Sequence, residues 1–223
     1  MSRLFLLVLA LLAGPLRAQP DGGEAPTLNG RVEGNVYISP TGLFRVTVPV
    51  LPELGARIND TGNVVTFQDA FNLHVSIGVF PQDSTQRWEL STRGVKDYLT
   101  YFFANFVMPD FRQLFTGAMI ESARFLPDTQ GGALLAFTLL PGGSMFGDRH
   151  AVLAADEAPP VAKRGNLIFV RSGFIYVIST ELAERVIEGK AYKKTTAEED
   201  EILRLRLADI LKKMEFTKPV TDT

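Results

Sequence analysis

Asp148-Arg149-His150 is the one place in this 223-residue chain where an acid and an imidazole stand two positions apart. Side chains so spaced can share a proton or a metal, one as base and one as orienter. The triplet lies within Pro141–Gly165, which also carries Gly142, Gly143, Ser144, Gly147, Asp156, Glu157, Pro159 and Pro160. A stretch this rich in turn formers is longer than a tight hairpin needs, and long loops often carry binding. The plainer reading starts a strand at Asp148-Arg149 and runs it through His150-Ala151-Val152-Leu153. Ser144 supplies a hydroxyl near His150, but Gly142-Gly143-Ser144-Met145-Phe146 lacks the second glycine of a nucleophile elbow. Gly189-Lys190 has the ending of a phosphate loop without its hydroxyl, since Ala191 follows, and without a glycine five residues upstream. His74 falls among the outward positions of a strand, as a solvated or helix-covered residue. Trp88, Tyr98, Tyr101, Phe102, Phe103 and Phe106 gather around one helix, either as the core beneath it or as the lining of an apolar pocket. Tyr101 stands off the main stripe and is the aromatic expected to be exposed. The candidate binding residues are therefore Asp148, Arg149, His150 and Tyr101, and no residue set calls for a catalytic role, a metal or a cofactor.

Composition narrows the chemistry further. No cysteine is present, which removes disulfides, thiolate metal sites and cysteine nucleophiles together. With 23 Lys+Arg against 25 Asp+Glu there is no field to collect polyanions, so nucleic acid is not expected as a partner. At 46% hydrophobic and 22% charged residues the chain is too apolar for disorder and too charged for a polytopic membrane protein.

The start has three parts: basic Met1-Ser2-Arg3, an apolar run from Leu4 to Gly14, and the small-residue exit Pro15-Leu16-Arg17-Ala18. That is the layout of a secretory signal peptide, with cleavage expected after Ala18 and a periplasmic or secreted product. The run is shorter than the roughly 20 residues that span a bilayer, so no transmembrane segment is expected in the processed chain. Residues 19–35 read as a flexible leader and 217–223 as a flexible tail, with a single domain over 36–216.

Within that domain, Val36 to Val48 is expected as a hairpin around Ser39-Pro40-Thr41-Gly42. Asn63–Gln68 and Leu73–Phe80 form a second pair, with Leu73, Val75, Ile77 and Val79 on one face and His74, Ser76 and Gly78 on the other. Leu90–Val107 changes to helical spacing and stops at Pro109. Ala118–Leu126, Ala133–Leu140, Asn166–Arg171 and Phe174–Ser179 follow as strands. Thr195 with Glu198, and Thr196 with Glu199, offer capping boxes to a last helix whose stripe is Leu203, Leu207, Ile210, Leu211 and Met214. Lys190, Lys193 and Lys194 before its acidic start read as a solvated loop, with a docking patch as the alternative. Hairpins with few helices predict an α+β fold, a mainly antiparallel sheet between helical layers.

The order of these features resembles the PsbP-like family. The matching stretches are Ser-Pro-Thr-Gly-Leu-Phe-Arg-Val-Thr-Val-Pro at 39–49, Val-Val-Thr-Phe-Gln-Asp at 64–69, the hairpin at 166–179, and Ile-Leu-Lys-Lys-Met-Glu-Phe at 210–216. Val50-Leu51-Pro52 departs from the family pattern, where a tryptophan often stands. The resemblance implies a three-layer α/β/α sandwich, no transferable catalytic machinery, and members that serve as binding or assembly modules. The expected function is an exported, non-enzymatic module that binds an envelope protein or a small apolar ligand. The alternative is a small-molecule or metal-dependent enzyme using Asp148 and His150.

Overall fold

Residues 28–148 and 158–217 are described by the computed structural model. Alternation sets the layers. The strands β1 (Arg31–Glu33), β2 (Val36–Ile38) and β3 (Phe44–Thr47) join β11 (Met214–Phe216) in a four-stranded sheet, ordered β1-β2-β3-β11. A seven-stranded sheet runs β4-β5-β6-β10-β9-β8-β7, from β4 (Arg57–Asp60), β5 (Val64–Gln68), β6 (His74–Pro81), β7 (Met119–Leu126), β8 (Ala133–Pro141), β9 (Val161–Arg171) and β10 (Phe174–Glu181). Every pairing in both sheets is antiparallel. With helices on both faces of the large sheet, the expected α+β class is the observed one.

The two faces of that sheet carry different cores. On one, Phe67, Val75, Ile77, Leu167, Phe169 and Ile178 meet Leu203, Leu207 and Ile210 of α4 (Thr196–Lys212), and the small sheet adds Tyr37, Phe44 and Val46. Gly165 lets this helix come close, because a Cβ there would lie 3.0 Å from Leu203 Cβ and 3.0 Å from Leu207 Cδ1. On the other, Leu134, Ile168 and Ile175 meet Tyr98, Leu99 and Phe102 of α1 (Ser84–Phe102) and Phe111 of α2 (Met108–Leu114). A short α3 (Ala183–Ile187) follows β10 and buries Ala183 and Val186 against Phe146.

Several boundaries differ from the sequence expectation. β1 lies inside the stretch expected to be a flexible leader, and Asp60 explains it. Its carboxylate accepts the Asn29 N–H at 2.8 Å, the Gly30 N–H at 2.7 Å and the Tyr37 hydroxyl at 2.7 Å. Burial pushes this carboxyl up, but those hydrogen bonds outweigh it and hold Asp60 below the usual aspartate range. Helix α1 begins at Ser84, ahead of Leu90, because Asp83 and Gln86 form a reciprocal capping box. Gly94, at φ 75°, kinks it. Pro109 does not stop the helical path: a π-helical turn at Phe103–Val107 leads into α2, whose first turn accommodates a proline without losing a hydrogen bond. The second expected capping box is not formed, since Glu199 is buried in ion pairs and Thr195 with Glu198 alone starts α4. Among the described residues no helix is long and apolar enough to cross a membrane.

Candidate functional site

Lys163 and Arg164 stand side by side in β9, and alternation sends one to each face of the sheet. Arg164 pairs with Thr138 on one side and Glu181 on the other. Glu181 and His74 follow the Thr180–Val75 pair, His74 faces Gln68, and Gln68 faces Arg57. Directly opposed side chains share a face. A polar row therefore crosses six strands on the α1 side: Arg57, Gln68, His74, Glu181, Arg164 and Thr138. Behind it Ser179 donates to Asn166 Oδ1 at 2.8 Å, and Asn166 Nδ2 donates to the Ala136 carbonyl at 3.2 Å.

Glu181 is fully buried and organises the loop after β8. Its carboxylate accepts Arg164 Nη2 at 3.4 Å, the Met145 N–H at 3.0 Å and the hydroxyl of Ser144. Arg164 Nη2 also donates to the Gly143 carbonyl at 2.8 Å, and Ser144 Oγ accepts the Phe146 N–H at 2.9 Å. The buried charges thus clamp residues 143–146 onto the sheet. Removing one member of such a pair would cost about 3–5 kcal/mol, because the other charge stays buried without a partner. Burial drags Arg164 below the usual arginine value while Glu181 opposes it, and the guanidinium remains a cation.

The clamped loop forms one wall of an open hollow of ≈ 400 Å³. Met145, Phe146 and Asp148 come from this loop, Gly55 to Arg57 from the start of β4, and Gln68 to Ala70 from the end of β5. Gly55 has φ 73°, which favours glycine, and an added Cβ would lie 3.2 Å from the Ala70 Cβ and crowd the opposite wall. Asp69 is committed to the turn itself: its Oδ1 accepts the N–H groups of Phe71, Asn72 and Leu73 at 2.8, 2.8 and 3.0 Å. That leaves Arg57, Gln68 and Asp148 as polar functions over walls of Ala56, Ala70, Met145 and Phe146. The set can hold a ligand by one cation, one anion, one amide and apolar contact. Ser144 of the adjoining loop is not part of the lining, and its hydroxyl is bound to the Glu181 carboxylate rather than to an imidazole.

His74 lies next along the row from Gln68, 1% exposed, with neither ring nitrogen hydrogen-bonded. Burial, and then the charge of Arg164, hold its pKa well below the ordinary 6.5, so the ring is neutral. Arg164 Nε and Thr66 Oγ1 on the same face also have no partner. Buried polar atoms gathered in this way are the setting in which ordered waters are held. Of the two expectations for His74, the solvated one is corrected: the residue is fully buried.

Of the sequence candidates, Asp148 and Tyr101 fall among the described residues, and Tyr101 is not one of those that line the hollow. Asp148 is exposed at the rim of the hollow. Arg149 and His150, and with them the expected strand through Leu153, lie outside the described residues. Tyr101, expected to be exposed, is half-buried: the Arg93 guanidinium lies 4.4 Å from its ring centroid and Phe106 meets it edge-on at 5.9 Å. The kink at Gly94 changes the direction of the helix between Arg93 and Tyr101. Of the six aromatics grouped around this helix, Trp88 is the exposed one, at 61%. Sequence reasoning also missed the other face. There Lys163 Nζ, fully buried, contacts Glu121 at 2.5 Å, Asp200 at 2.7 Å and Glu199 at 3.0 Å, and Arg185 reaches Glu199 at 2.8 Å. Burial pushes the Lys163 pKa down, but Asp200, Glu121 and Glu199 raise it above the lysine range, so it is a charged brace. The signal available was Lys163-Arg164 itself, a charged pair next to an apolar strand.

No protein-family model and no curated protein matches the chain. Similar solved structures include the yeast Ran-binding protein Mog1p, at TM-score 0.49 and 10% identity, covering 86% of this chain and 97% of that one. Cyanobacterial PsbP from Synechocystis is similar at TM-score 0.48 and 14% identity, over 92% of this chain and 100% of that one. A protein from Bacteroides thetaiotaomicron is similar at TM-score 0.44 and 11% identity, over 86% of this chain and 52% of its own.

Proposed function

We propose that the chain is an exported, non-enzymatic binding or assembly module of the cell envelope, and that the hollow bordered by Asp148 is where it grips its partner. The observation that supports this is the clamp. Buried Arg164 and Glu181 hold the Met145–Phe146 wall in place, so the hollow is preformed rather than assembled on binding. A volume of ≈ 400 Å³ accepts one large side chain or a small ligand. Arg57 and Asp148, of opposite sign at the mouth, favour a partner that offers both charges around an apolar anchor, which a protein surface does. Export is supported by the basic, apolar and small-residue layout of residues 1–18.

The test replaces Asp148 with a photo-crosslinking amino acid in the native envelope, with and without Ala70→Trp, which fills the hollow from an exposed position. Capture of one envelope protein, lost on Ala70→Trp while circular dichroism is unchanged, is the expected result. Capture indifferent to Ala70→Trp refutes the site. Turnover of a metabolite, lost in Asp148→Ala with the fold intact, refutes the non-enzymatic reading.

A further inference from the structure

The seven-stranded sheet has two edges, and they are treated differently. At the β4 edge Asn29 Nδ2 donates to the Asp60 carbonyl at 3.1 Å, so that end is covered by the chain's own N-terminal segment. The edges of the small sheet, β1 and β11, are three residues long. β7 has eight residues and pairs with β8 alone. Among the described residues its one further backbone hydrogen bond is from the Thr129 N–H to the Leu126 carbonyl, at 3.4 Å. An open edge of this length is a template for another strand.

The residues on it complement themselves. The register passes from Ile120↔Thr138 to Ser122↔Phe137, so Glu121 is the extra residue of a bulge and shares one rung with Ser122. Met119, Glu121 with Ser122, Arg124 and Leu126 then belong to the α4 face, and Ile120, Ala123 and Phe125 to the α1 face. Counted this way there are seven rungs with Ala123 in the middle. A two-fold axis normal to the sheet at Ala123 lays β7 antiparallel on its own copy, with every side chain keeping its face. Ala123 then meets Ala123, Arg124 meets the Glu121–Ser122 rung, Phe125 meets Ile120, and Leu126 meets Met119. Charge faces opposite charge and apolar faces apolar at each rung, which is the stabilising set of cross-strand pairs. Met119 is 52% exposed, and Ser122, Ala123 and Arg124 are exposed. Lys163 fixes Glu121, 22% exposed, so the incoming guanidinium meets an anchored carboxylate.

We propose that β7 is a self-association edge: a second copy of this chain pairs on it in that register, joining the two seven-stranded sheets into one. The interface is isologous, as closed two-fold dimers require.

The absence of cysteine makes the test clean. Ala123→Cys should form an intermolecular disulfide under mild oxidation at least tenfold faster than Thr41→Cys, a thiol placed on an exposed turn. Sedimentation equilibrium should show a concentration-dependent mass twice that of one chain. Arg124→Glu places like charges on both symmetry-related rungs and should weaken the dimer about tenfold. Adding Ser122→Lys to Arg124→Glu should restore it. A single-chain mass at every concentration overturns the proposal. A dimer in which the cysteine at 123 reacts no faster than the one at 41 also overturns it, because association then uses another surface.

Discussion

Acid should loosen this fold through His74 before it reaches the carboxylates. The ring is buried, its nitrogens are unpaired, and the cation of Arg164 lies in the same row. In the unfolded chain the imidazole takes up a proton below its ordinary pKa of 6.5, whereas the folded ring does not. The unfolded state therefore binds more protons in this window, and unfolding free energy falls as pH falls. Well above pH 6.5, from about pH 7.5, both states hold a neutral ring and the group adds almost nothing to the slope. Integrated from pH 7.5 to 5.5, one such group costs about 1.4 kcal/mol, which lowers Tm by about 3–6 °C in a domain of this size. The assay is urea unfolding at both pH values for the parent chain and for His74→Leu. The comparison isolates His74, because every other residue, His150 included, is the same in both proteins. Asp60, held below the aspartate range, contributes stability that is lost only at lower pH, as its folded value is passed. A parent chain that loses no more stability than His74→Leu over this interval refutes the reasoning, and an imidazole nitrogen shift showing a protonated ring at pH 5.5 refutes it independently.

The clamp makes a second prediction. Arg164→Leu leaves Glu181 buried without its cation and should cost about 3–5 kcal/mol by denaturant unfolding, whereas Arg164→Leu with Glu181→Leu should recover only part of that loss, because the Met145 N–H and the Ser144 hydroxyl lose their acceptor. Gly165→Val drives methyl groups into Leu203 and Leu207 of α4, already 3.0 Å from the position of a Cβ. It should destabilise the fold by about 1–3 kcal/mol, with faster hydrogen exchange along α4 than along α1.

Most of the sheet was legible because its strands announce themselves locally. β6 and β8 alternate or run apolar, turns carry Pro and Gly, and Asp83 and Thr195 are capping residues that need no distant partner. β1 and β4 were not legible: Arg-Val-Glu and Arg-Ile-Asn-Asp have no apolar period, and they become strands through the clasp of Asp60 on Asn29, Gly30 and Tyr37. The site was hidden for the same reason. Arg57 and Gln68 look like ordinary surface residues until pairing brings them together, and Glu181 looks like a helix-start acid until Arg164, 17 residues earlier, meets it inside the sheet. Asp148 could be expected at the surface because a long, turn-rich segment runs over the outside of a fold, which is information local to the sequence, and it is exposed at the rim of the hollow. Tyr101 was misjudged because its cover comes from the Arg93 guanidinium and the Phe106 ring, contacts that its position off the apolar stripe does not report.

The placement of two adjacent charges ties the two surfaces together. A β-strand sends neighbours to opposite faces, so Lys163-Arg164 cannot both point to solvent once β9 is central in the sheet, and each must find anions on its own side. Arg164 finds Glu181 and, through it, fixes the Met145–Phe146 wall of the hollow. Lys163 finds Glu121, Glu199 and Asp200, which fixes the bulge of β7 against the start of α4. Neither arrangement is the cheapest way to stabilise a core, since apolar residues of similar volume often do as well or better than a buried ion pair. What the charges supply is position: each holds a loop or bulge that hydrophobic contact alone would leave free to slide. The wall of the hollow on one face and the bulge at one edge of the same sheet are thus both held by the side chains of two consecutive residues in β9.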